Sequence, residues 1–395
     1  MVNSSGFKFP IQTSGGNATS TIVDMADMFV RKELFLTNNL FTCGNNDTGQ
    51  LGNGTTTAYS SPIQIGSLTN WKDVSCGYNH VHAIKSDGTL WSWGGNTYKQ
   101  LGGGTLGSYS SPIQIGIMPY WRQVSAGSTF SLGIQVDGSL WSWGVNTYGQ
   151  LGNGTTNDYS SPVQIGSLTN WKKVSTGNRS TSAIKTDGTL WSWGYNYNGE
   201  LGNGTTTDYS SPIQIGSLTN WNYIAKGSTA GHTLTIKTDG TLWSWGSNNS
   251  GQLGNGTITN YSSPIQIGSL TNWKQIACGY KHSVAVKNDG TLWTWGSNGQ
   301  GELGNGTITD YSSPIQIGSL TTWKQVSAGR FFTYAIKTDG TLWSWGWNNS
   351  GQLGNGTITN YSSPIQIGSL TNWRRIESGH TNKNFAAIQS PDLFS

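Results

Sequence analysis

The side chains able to do acid–base, nucleophilic or metal chemistry are few in this chain of 395 residues, and they are scattered. The histidines are His80, His82, His232, His282 and His380. A two-residue spacing on a strand would place His80 and His82 on one face, where they could share a metal ion. A structural hydrogen-bonding role is the simpler interpretation. Since no G-x-S-x-G turn of a serine hydrolase occurs either, the sequence predicts no catalytic site, no cofactor and no metal site.

Two glycine-rich strings are similar to ligand loops but lack the groups that such loops need. Leu151 to Thr155 reads L-G-N-G-T, without the third glycine or the following helix of a phosphate-binding loop. Asn45 to Gly49 reads N-N-D-T-G, but the equivalent strings elsewhere read N-T-Y-G or N-N-S-G and carry no carboxylate, the ligand that Ca²⁺ requires. Both strings are therefore predicted to be loops that bind neither phosphate nor calcium.

The composition indicates a folded protein with little charge. Only 10% of the residues are charged, against about 25% in ordinary domains. Twenty tryptophans and 12% aromatic residues supply apolar surface for a large core. No run of about 18 apolar residues occurs, so no membrane-spanning helix is predicted. The net charge is +4, and because the basic residues are dispersed along the sequence we do not expect nucleic acid to be the partner.

The elements that position these residues come from a repeat of about 50 residues. The glycine that closes a W-S-W-G-like string recurs at Gly44, Gly94, Gly144, Gly194, Gly246, Gly296 and Gly346. The tryptophan of an N-W-K-like string recurs at Trp71, Trp121, Trp171, Trp221, Trp273, Trp323 and Trp373. Both series give seven units. Cys76 and Cys278 lie at the same place in distant units, and Cys43 replaces a tryptophan, so all three are expected to be free thiols.

Each unit reads as four strands, called A to D here: W-K-x-V-S-x-G, A-I-K-T-D-G, T-L-W-S-W-G and S-P-I-Q-I-G. An Asp-Gly pair joins B to C and predicts a type I′ hairpin turn. In strand C, Trp191 and Trp193 lie on one face, so the opposite face has room for a neighbouring sheet. A proline in every strand D places that strand at the outer edge. Units of this kind predict an all-β, seven-bladed β-propeller with four strands per blade.

The two ends of the chain predict how the ring closes. Residues 40–44 read L-F-T-C-G, a variant of strand C, and residues 385–388 read F-A-A-I, a variant of strand B. One blade is therefore shared by the N-terminal and C-terminal strands. Residues 37–395 form the predicted propeller. Residues 1–36 lie outside it as an N-terminal arm, either a disordered tail or, as we favour, an anchor whose apolar residues are Ile22, Val23, Met25, Met28 and Phe29.

Two strings of the repeat resemble the RCC1-type (regulator of chromosome condensation) repeat. They are W-x-W-G-x-N-x-x-G-Q-L-G-x-G and V-S-x-G-x-x-H-x-x-A-I-K-x-D-G, the latter clearest from Val74 to Gly88. The resemblance covers roughly residues 37 to 395 and implies a seven-bladed propeller. It also implies a structural role for His80 and His282, which occupy the family's usual histidine position. Such propellers serve as exchange factors, chromatin binders, ubiquitin-ligase arms and photoreceptors, so the resemblance does not fix a function.

The uniform Asn/Thr/Gly-rich units and the leader from Asp24 to Lys32 are also similar to repeat proteins of marine bacteriophages, especially cyanophages. This second resemblance implies a virion component held by its N-terminal arm. Virion proteins would then be the partners of the arm, and the virion would be the location, with a cytoplasmic or extracellular protein as the alternative. Neither nucleic acid binding nor membrane insertion is expected.

Near-identical units show which positions differ from blade to blade. Differences concentrate in the A–B loops and just after W-G, and alternating strand direction places both sets on one face of the disc. The residues predicted to form a recognition surface there are Tyr78, His80, Phe130, Arg179, Tyr195, Tyr280, Lys281, Arg330, Phe331 and Trp347. Aromatic residues and arginine are enriched at interface centres. Neutral drift of exposed loops is the alternative explanation.

The leading hypothesis is therefore a non-enzymatic structural or recognition propeller, expected as a phage tail, fibre or capsid-decorating protein that binds a host protein or glycan. Glycan binding and RCC1-type exchange or scaffolding are the alternatives. Exchange in the family depends on a protruding wedge, whereas the insertion found here is two residues near Ser228 to His232. Ultraviolet sensing is disfavoured because the G-W-R-H-T signature of the photoreceptors is missing.

Overall fold

The structure is a computed structural model that describes residues 38–117, 119–227, 231–379 and 383–390. The predicted arm, residues 1–36, and its anchor residues Ile22, Val23, Met25, Met28 and Phe29 lie outside the described residues. The described part of the chain consists of short strands that run antiparallel to their neighbours in four-stranded sheets. These sheets are the seven predicted blades.

The strands follow the repeat closely. The chain begins with β1 (Asn39–Gly44) and β2 (Tyr59–Gln64), which belong to blade 7. Blade 1 contains β3 (Trp71–Cys76), β4 (His80–Lys85), β5 (Leu90–Gly94) and β6 (Tyr109–Ile115). Blade 2 contains β7 (Trp121–Ala126), β8 (Phe130–Gln135), β9 (Leu140–Gly144) and β10 (Tyr159–Gln164). Blade 3 contains β11 (Trp171–Thr176), β12 (Ser180–Lys185), β13 (Leu190–Gly194) and β14 (Tyr209–Gln214).

The remaining blades repeat this order. Blade 4 contains β15 (Trp221–Lys226), β16 (His232–Lys237), β17 (Leu242–Gly246) and β18 (Tyr261–Gln266). Blade 5 contains β19 (Trp273–Cys278), β20 (His282–Lys287), β21 (Leu292–Gly296) and β22 (Tyr311–Gln316). Blade 6 contains β23 (Trp323–Ala328), β24 (Phe332–Lys337), β25 (Leu342–Gly346) and β26 (Tyr361–Gln366). The C-terminal strands β27 (Trp373–Ser378) and β28 (Asn384–Gln389) complete blade 7.

Blade 7 closes the ring as predicted. Its strand order is β2-β1-β28-β27, so two N-terminal strands continue a sheet begun by two C-terminal strands. The β1–β28 pairing is continuous from Asn39 opposite Gln389 to Gly44 opposite Asn384. Ser390 Oγ also donates to Asn38 Oδ1 across the seam, at 3.1 Å. The predicted all-β, seven-bladed propeller with a shared blade is confirmed.

Within each blade the A strand is innermost and the D strand is the outer edge. Neighbouring A strands contact each other all around the ring and line a central channel with a cavity of about 490 Å³. The D strands consist mostly of half-buried and exposed residues, as in Tyr209–Gln214, and hold the proline of each repeat. A proline is tolerated there because the outer edge has no further strand that needs its N–H.

The core lies between blades and is built by the repeated tryptophans. Trp171 of strand A packs edge-on against Trp191 and Trp193 of strand C, with ring centroids 6.1 and 6.0 Å apart. This face of blade 3 packs on the aliphatic face of blade 2, which includes Leu140 and Ile165. The sequence prediction of one bulky and one receptive face is therefore confirmed.

The second tryptophan of strand C also ties its blade to the preceding one. Trp193 Nε1 donates to the carbonyl of Gln150 at 3.0 Å, and the equivalent bond recurs in five other blades. Blade 7 has Cys43 at this place, and there the hydroxyl of Tyr334 in blade 6 donates to the equivalent carbonyl, that of Gln352. Tyr334 thus supplies the hydrogen bond that the tryptophan indole makes elsewhere. All three cysteines are free, as predicted, and all three are buried.

The B–C connection differs from the predicted type I′ turn. In blade 1 the loop contains three residues, Ser86 to Gly88, since Lys85 N donates to Thr89 O at 3.1 Å and Gly88 N donates to Lys85 O at 2.9 Å. Gly88 has a φ of 85°, whereas Asp87 is not in the left-handed region. This is a type I turn followed by a glycine bulge. The aspartate accepts hydrogen bonds from Thr89 with Oδ1, which favours the longer loop.

We expect Gly279→Ala to destabilise the propeller by about 1–3 kcal/mol, because overpacking a tight core has costs of that size. A Cβ at Gly279 would lie 2.2 Å from His282 Cε1 and 2.6 Å from the carbonyl oxygen of Gly329 in the next blade. Gly299→Ala in the same blade is the control, since no atom lies within 4 Å of its added Cβ. Urea unfolding measures both. Equal midpoints for the two variants would contradict the packing argument.

Candidate recognition site

The A–B and C–D loops share one face of the disc, which we call the loop face. Tyr195 N, which begins a C–D loop, donates to Arg179 O in an A–B loop at 3.0 Å, and Trp347 N donates in the same way to Phe331 O at 2.8 Å. On the opposite side, the turn face, Thr186 N of a B–C turn donates to Asn170 O of a D–A linker at 2.9 Å. The predicted division into two faces therefore holds.

Eight of the ten residues predicted for the recognition surface reach solvent on the loop face. Tyr78 is 43% exposed, and Arg179 is also exposed. The half-buried members are Tyr195, Tyr280, Lys281, Arg330, Phe331 and Trp347. His80 and Phe130 are fully buried, so their placement on this surface was wrong.

His80 and Phe130 are buried because each is the first residue of strand B rather than the end of the preceding loop. Their rings lie over the invariant glycines of strand A, Gly77 and Gly127. His80 Nε2 lies 3.1 Å from Ser131 Oγ of the next blade, and His82 Nε2 lies 2.7 Å from the same oxygen. The two imidazoles thus share a hydroxyl. Among the described residues, no group of three or more His, Cys, Asp or Glu side chains could hold a metal ion.

An aromatic strip crosses blades 5 and 6 on the loop face. It consists of Tyr280, Phe331 and Trp347, with Tyr280 and Phe331 centroids 5.2 Å apart and Phe331 and Trp347 centroids 5.6 Å apart. Arg330 stacks 5.2 Å from the Phe331 ring, and Lys383 of blade 7 lies 4.2 Å above Trp347. The strip therefore combines rigid aromatic surface with cationic groups, the residue types favoured at interface centres.

A second group, the tyrosine cluster, joins blades 2 and 3. The rings of Tyr148 and Tyr195 pack edge-on at 5.0 Å, and Tyr197, which is 73% exposed, stacks beside Tyr195 at 6.4 Å. Arg179 lies 4.9 Å from the Tyr148 ring and donates to its hydroxyl at 3.1 Å. The sequence analysis missed Tyr148, Tyr197 and Lys383. The sequence does contain a signal for the two tyrosines: the residues two and three positions after the variable one that follows W-G also differ from blade to blade.

The channel holds a charged group at the seam between blades 7 and 1. Arg375 of β27 lies 2.5 Å from Asp73 of β3 and 3.3 Å from Glu377. Burial raises the pKa of Glu377 to about 7, against the opposing attraction of Arg375. In blade 4, Lys226 is buried and donates to Ser182 Oγ, Glu200 O and Thr233 Oγ1 at 3.1–3.2 Å, while burial lowers its pKa to about 8. These groups are matched by protein partners and tie blades together.

The seven four-stranded antiparallel sheets and the closed seam define a seven-bladed β-propeller, and its loop face differs from blade to blade. Models of the regulator of chromosome condensation (RCC1) repeat match residues 38–84, 87–134, 137–184, 187–236, 239–286, 289–336 and 339–382. The chain therefore belongs to the RCC1 repeat family. No curated protein sequence matches the chain.

Solved structures of similar fold share low sequence identity with the chain. Human WBSCR16 has a TM-score of 0.79 at 20% identity, covering 89% of this chain and 99% of that one. Prp20p from Saccharomyces cerevisiae, described with its binding to Gsp1p and histones, has a TM-score of 0.79 at 21% identity, covering 94% and 96%. Yeast RCC1 (Prp20) bound to Kap60 has a TM-score of 0.80 at 19% identity, covering 97% and 96%. The expected virion role receives no support from these comparisons.

Proposed function

We propose that this chain is a protein-binding RCC1 propeller whose loop face receives a protein partner on the aromatic strip. The observation that carries the proposal is the packing of Tyr280, Phe331 and Trp347 into one continuous strip flanked by Arg330. Drift of exposed loops would scatter such residues, whereas here they contact each other across blades. Half-buried aromatic rings lose little conformational entropy on binding and suit a protein interface.

The family relationship supports a protein as the ligand. Structures of similar fold are described with Gsp1p, histones and Kap60 as binding partners of Prp20. The tyrosine cluster on the same face offers a second contact area with Arg179 held against Tyr148. Two such areas on one disc fit a partner that spans several blades.

The double substitution F331A/W347A tests this proposal. Loss of two central aromatic side chains should weaken partner binding about 30-fold or more, as expected for interface hot spots. The purified chain serves as bait for crosslinking and mass spectrometry on a lysate of its source organism, and the affinity of the captured protein is then measured by calorimetry. The control is Tyr120→Ala, since Tyr120 is 47% exposed and lies in a D–A linker on the turn face.

A partner that loses affinity equally for Y120A and F331A/W347A would contradict the proposal. Binding on a glycan array that F331A/W347A abolishes would instead identify a lectin.

The family resemblance also supports nucleotide exchange on a small GTPase as a second candidate. Release of labelled GDP that the chain accelerates, and that F331A/W347A slows, would establish exchange as the consequence of protein binding on this face.

A further inference from the structure

Basic residues that are dispersed in the sequence form a ring in the fold. The second residue of strand A is exposed in every blade and is basic in six of them: Lys72, Arg122, Lys172, Lys274, Lys324 and Arg374, with Asn222 in blade 4. Arg122 Nη2 donates to the carbonyls of Trp171 and Lys172 at 2.8 and 3.2 Å, so equivalent residues of adjacent blades are neighbours. The repeat therefore gathers these cations, called the basic ring, at the turn-face mouth of the channel. Dispersion along the sequence therefore does not mean dispersion in the fold.

The basic ring has no close counter-charge. Across the described ranges, none of its six cations lies within 4.0 Å of a carboxylate oxygen. The acidic residues of the same face are the turn aspartates Asp87, Asp137, Asp187, Asp239, Asp289 and Asp339. In Asp187, as in its equivalents, Oδ1 accepts hydrogen bonds from the backbone N–H and hydroxyl of the residue two positions on. Lysines at the end of strand B, such as Lys185 over Trp191, add further positive charge.

Exposed leucines accompany the basic ring. They occupy the same position in five D–A linkers, three residues before the strand-A tryptophan, and are 43–47% exposed: Leu168, Leu218, Leu270, Leu320 and Leu370. The linker of blade 2 has Ile117 one residue earlier, 85% exposed. Each linker leads directly into the strand that bears the ring position, which is a cation in every one of these blades except blade 4, where it is Asn222. The turn face thus repeats one pairing, an exposed aliphatic side chain followed by a cation, in blades 2, 3, 5, 6 and 7.

We propose that the turn face binds the surface of an anionic lipid membrane, with the ring cations at the phosphate level and the leucines among the upper acyl chains. A folded protein has a different surface at each point and would call for different residues in each blade, as on the loop face. A lipid leaflet instead presents the same anionic and apolar chemistry everywhere, which matches a face that is nearly the same in every blade. A second copy of this face is excluded as partner because two basic rings repel.

Flotation of the full chain with vesicles tests the proposal. We expect binding to phosphatidylcholine vesicles that contain phosphatidylserine and none to pure phosphatidylcholine, with loss of binding between about 0.1 M and about 1 M NaCl as the charges are screened. K72E/K172E/K274E/K324E should lower the affinity at least about a hundredfold, since each cation near an anionic leaflet contributes substantially. L168S/L218S/L270S/L320S should lower the affinity for anionic vesicles by a smaller factor and leave its dependence on salt unchanged.

The matched control reverses four loop-face cations, K99E/R179E/K281E/R330E, which changes the net charge equally and should leave vesicle binding within about twofold of the parent chain. Circular dichroism establishes that every variant is folded. Equal binding to neutral and anionic vesicles, or equal loss in the two charge-reversed variants, would overturn the proposal. Binding of duplex DNA through the same four lysines without any binding to vesicles would overturn it too and would identify a nucleic acid surface.

Discussion

Lowering the pH from about 7 to about 4.5 should remove much of the stability of the propeller, because three histidines are held neutral inside it. Burial lowers the pKa of His82, His232 and His282 to about 3, from an ordinary value of 6.5. The unfolded chain therefore takes up protons first, and stability is lost as the pH falls from 6.5 towards 3. At pH 4.5 the loss is about 2–3 kcal/mol for each histidine, and the sum is comparable to the whole stability of an ordinary domain.

The repeats supply the substitutions that test this. The residue of blade 2 that is equivalent to His82 is Leu132. The residue of blade 6 that is equivalent to His232 and His282 is Phe332. In H82L/H232F/H282F the hydroxyls of Ser283 and Thr333 keep their bonds to backbone carbonyls at 2.7 and 2.8 Å. We expect the variant to lose far less stability between pH 7 and pH 4.5 in urea titrations.

The raised pKa of Glu377 acts in the opposite direction. Its contribution to stability is lost as the pH rises from 4.5 towards 7, so acidification restores part of what the histidines remove. The comparison between parent and triple variant cancels this effect because Glu377 is present in both. Parallel pH profiles for the two proteins would show that the histidines do not cause the acid sensitivity. Phe332→His, which adds a further buried imidazole at the position of His232 and His282, should steepen the profile.

Truncation after Gly379 should abolish cooperative folding of the ring. It removes β28, the strand that pairs with β1 on one side and β27 on the other. Phe385, Ala386, Ala387 and Ile388 of β28 are all buried, and Phe385 stacks on Tyr334 of blade 6 at a centroid distance of 4.1 Å. Replacing Phe385 alone by alanine should already destabilise the protein by about 3–5 kcal/mol. Circular dichroism and urea unfolding measure both changes.

A synthetic peptide of residues 380–395 provides the control for truncation. If the loss is due to the missing strand, the added peptide should pair with β1 and restore cooperative unfolding. A truncated chain that unfolds with the parent's midpoint and slope would show that blade 7 is dispensable. Leu370→Ala, in an exposed linker of the same blade, should have little effect on the midpoint.

The fold could be predicted because the same pattern of four strands occurs in seven successive units of the sequence. The spacing of Gly44 and its equivalents counts the blades, and the split of strands B and C between the two ends locates the seam. The hairpin turn was predicted incorrectly because an Asp-Gly pair satisfies both a two-residue and a three-residue loop. The hydrogen bonds from Thr89 to Asp87 decide between them, and they depend on a residue outside the pair.

The exposed residues of the loop face were predicted only in part, for a related reason. Blade-to-blade variation identified Phe331 and Trp347, but it also selected His80 and Phe130, because a residue that packs against a different neighbour in each blade varies as much as one that faces solvent. To tell a buried variable residue from an exposed one, the start of strand B must be known to the residue. An error of one residue in that boundary places His80 and Phe130 in the loop instead of the strand. The basic ring was not predicted because its cations are about 50 residues apart in the sequence. They become neighbours only when equivalent positions of adjacent blades are compared.

The seam also determines when during synthesis the ring can close. The strand β1 is made early, but the strand that pairs with it follows about 345 residues later, from Asn39 to Asn384. At the usual speed of translation, about 5–20 residues per second, that interval is about 17–70 s. Until then the edge of β1 that pairs with β28 has no partner strand, and an unpaired strand edge is prone to pair with other chains.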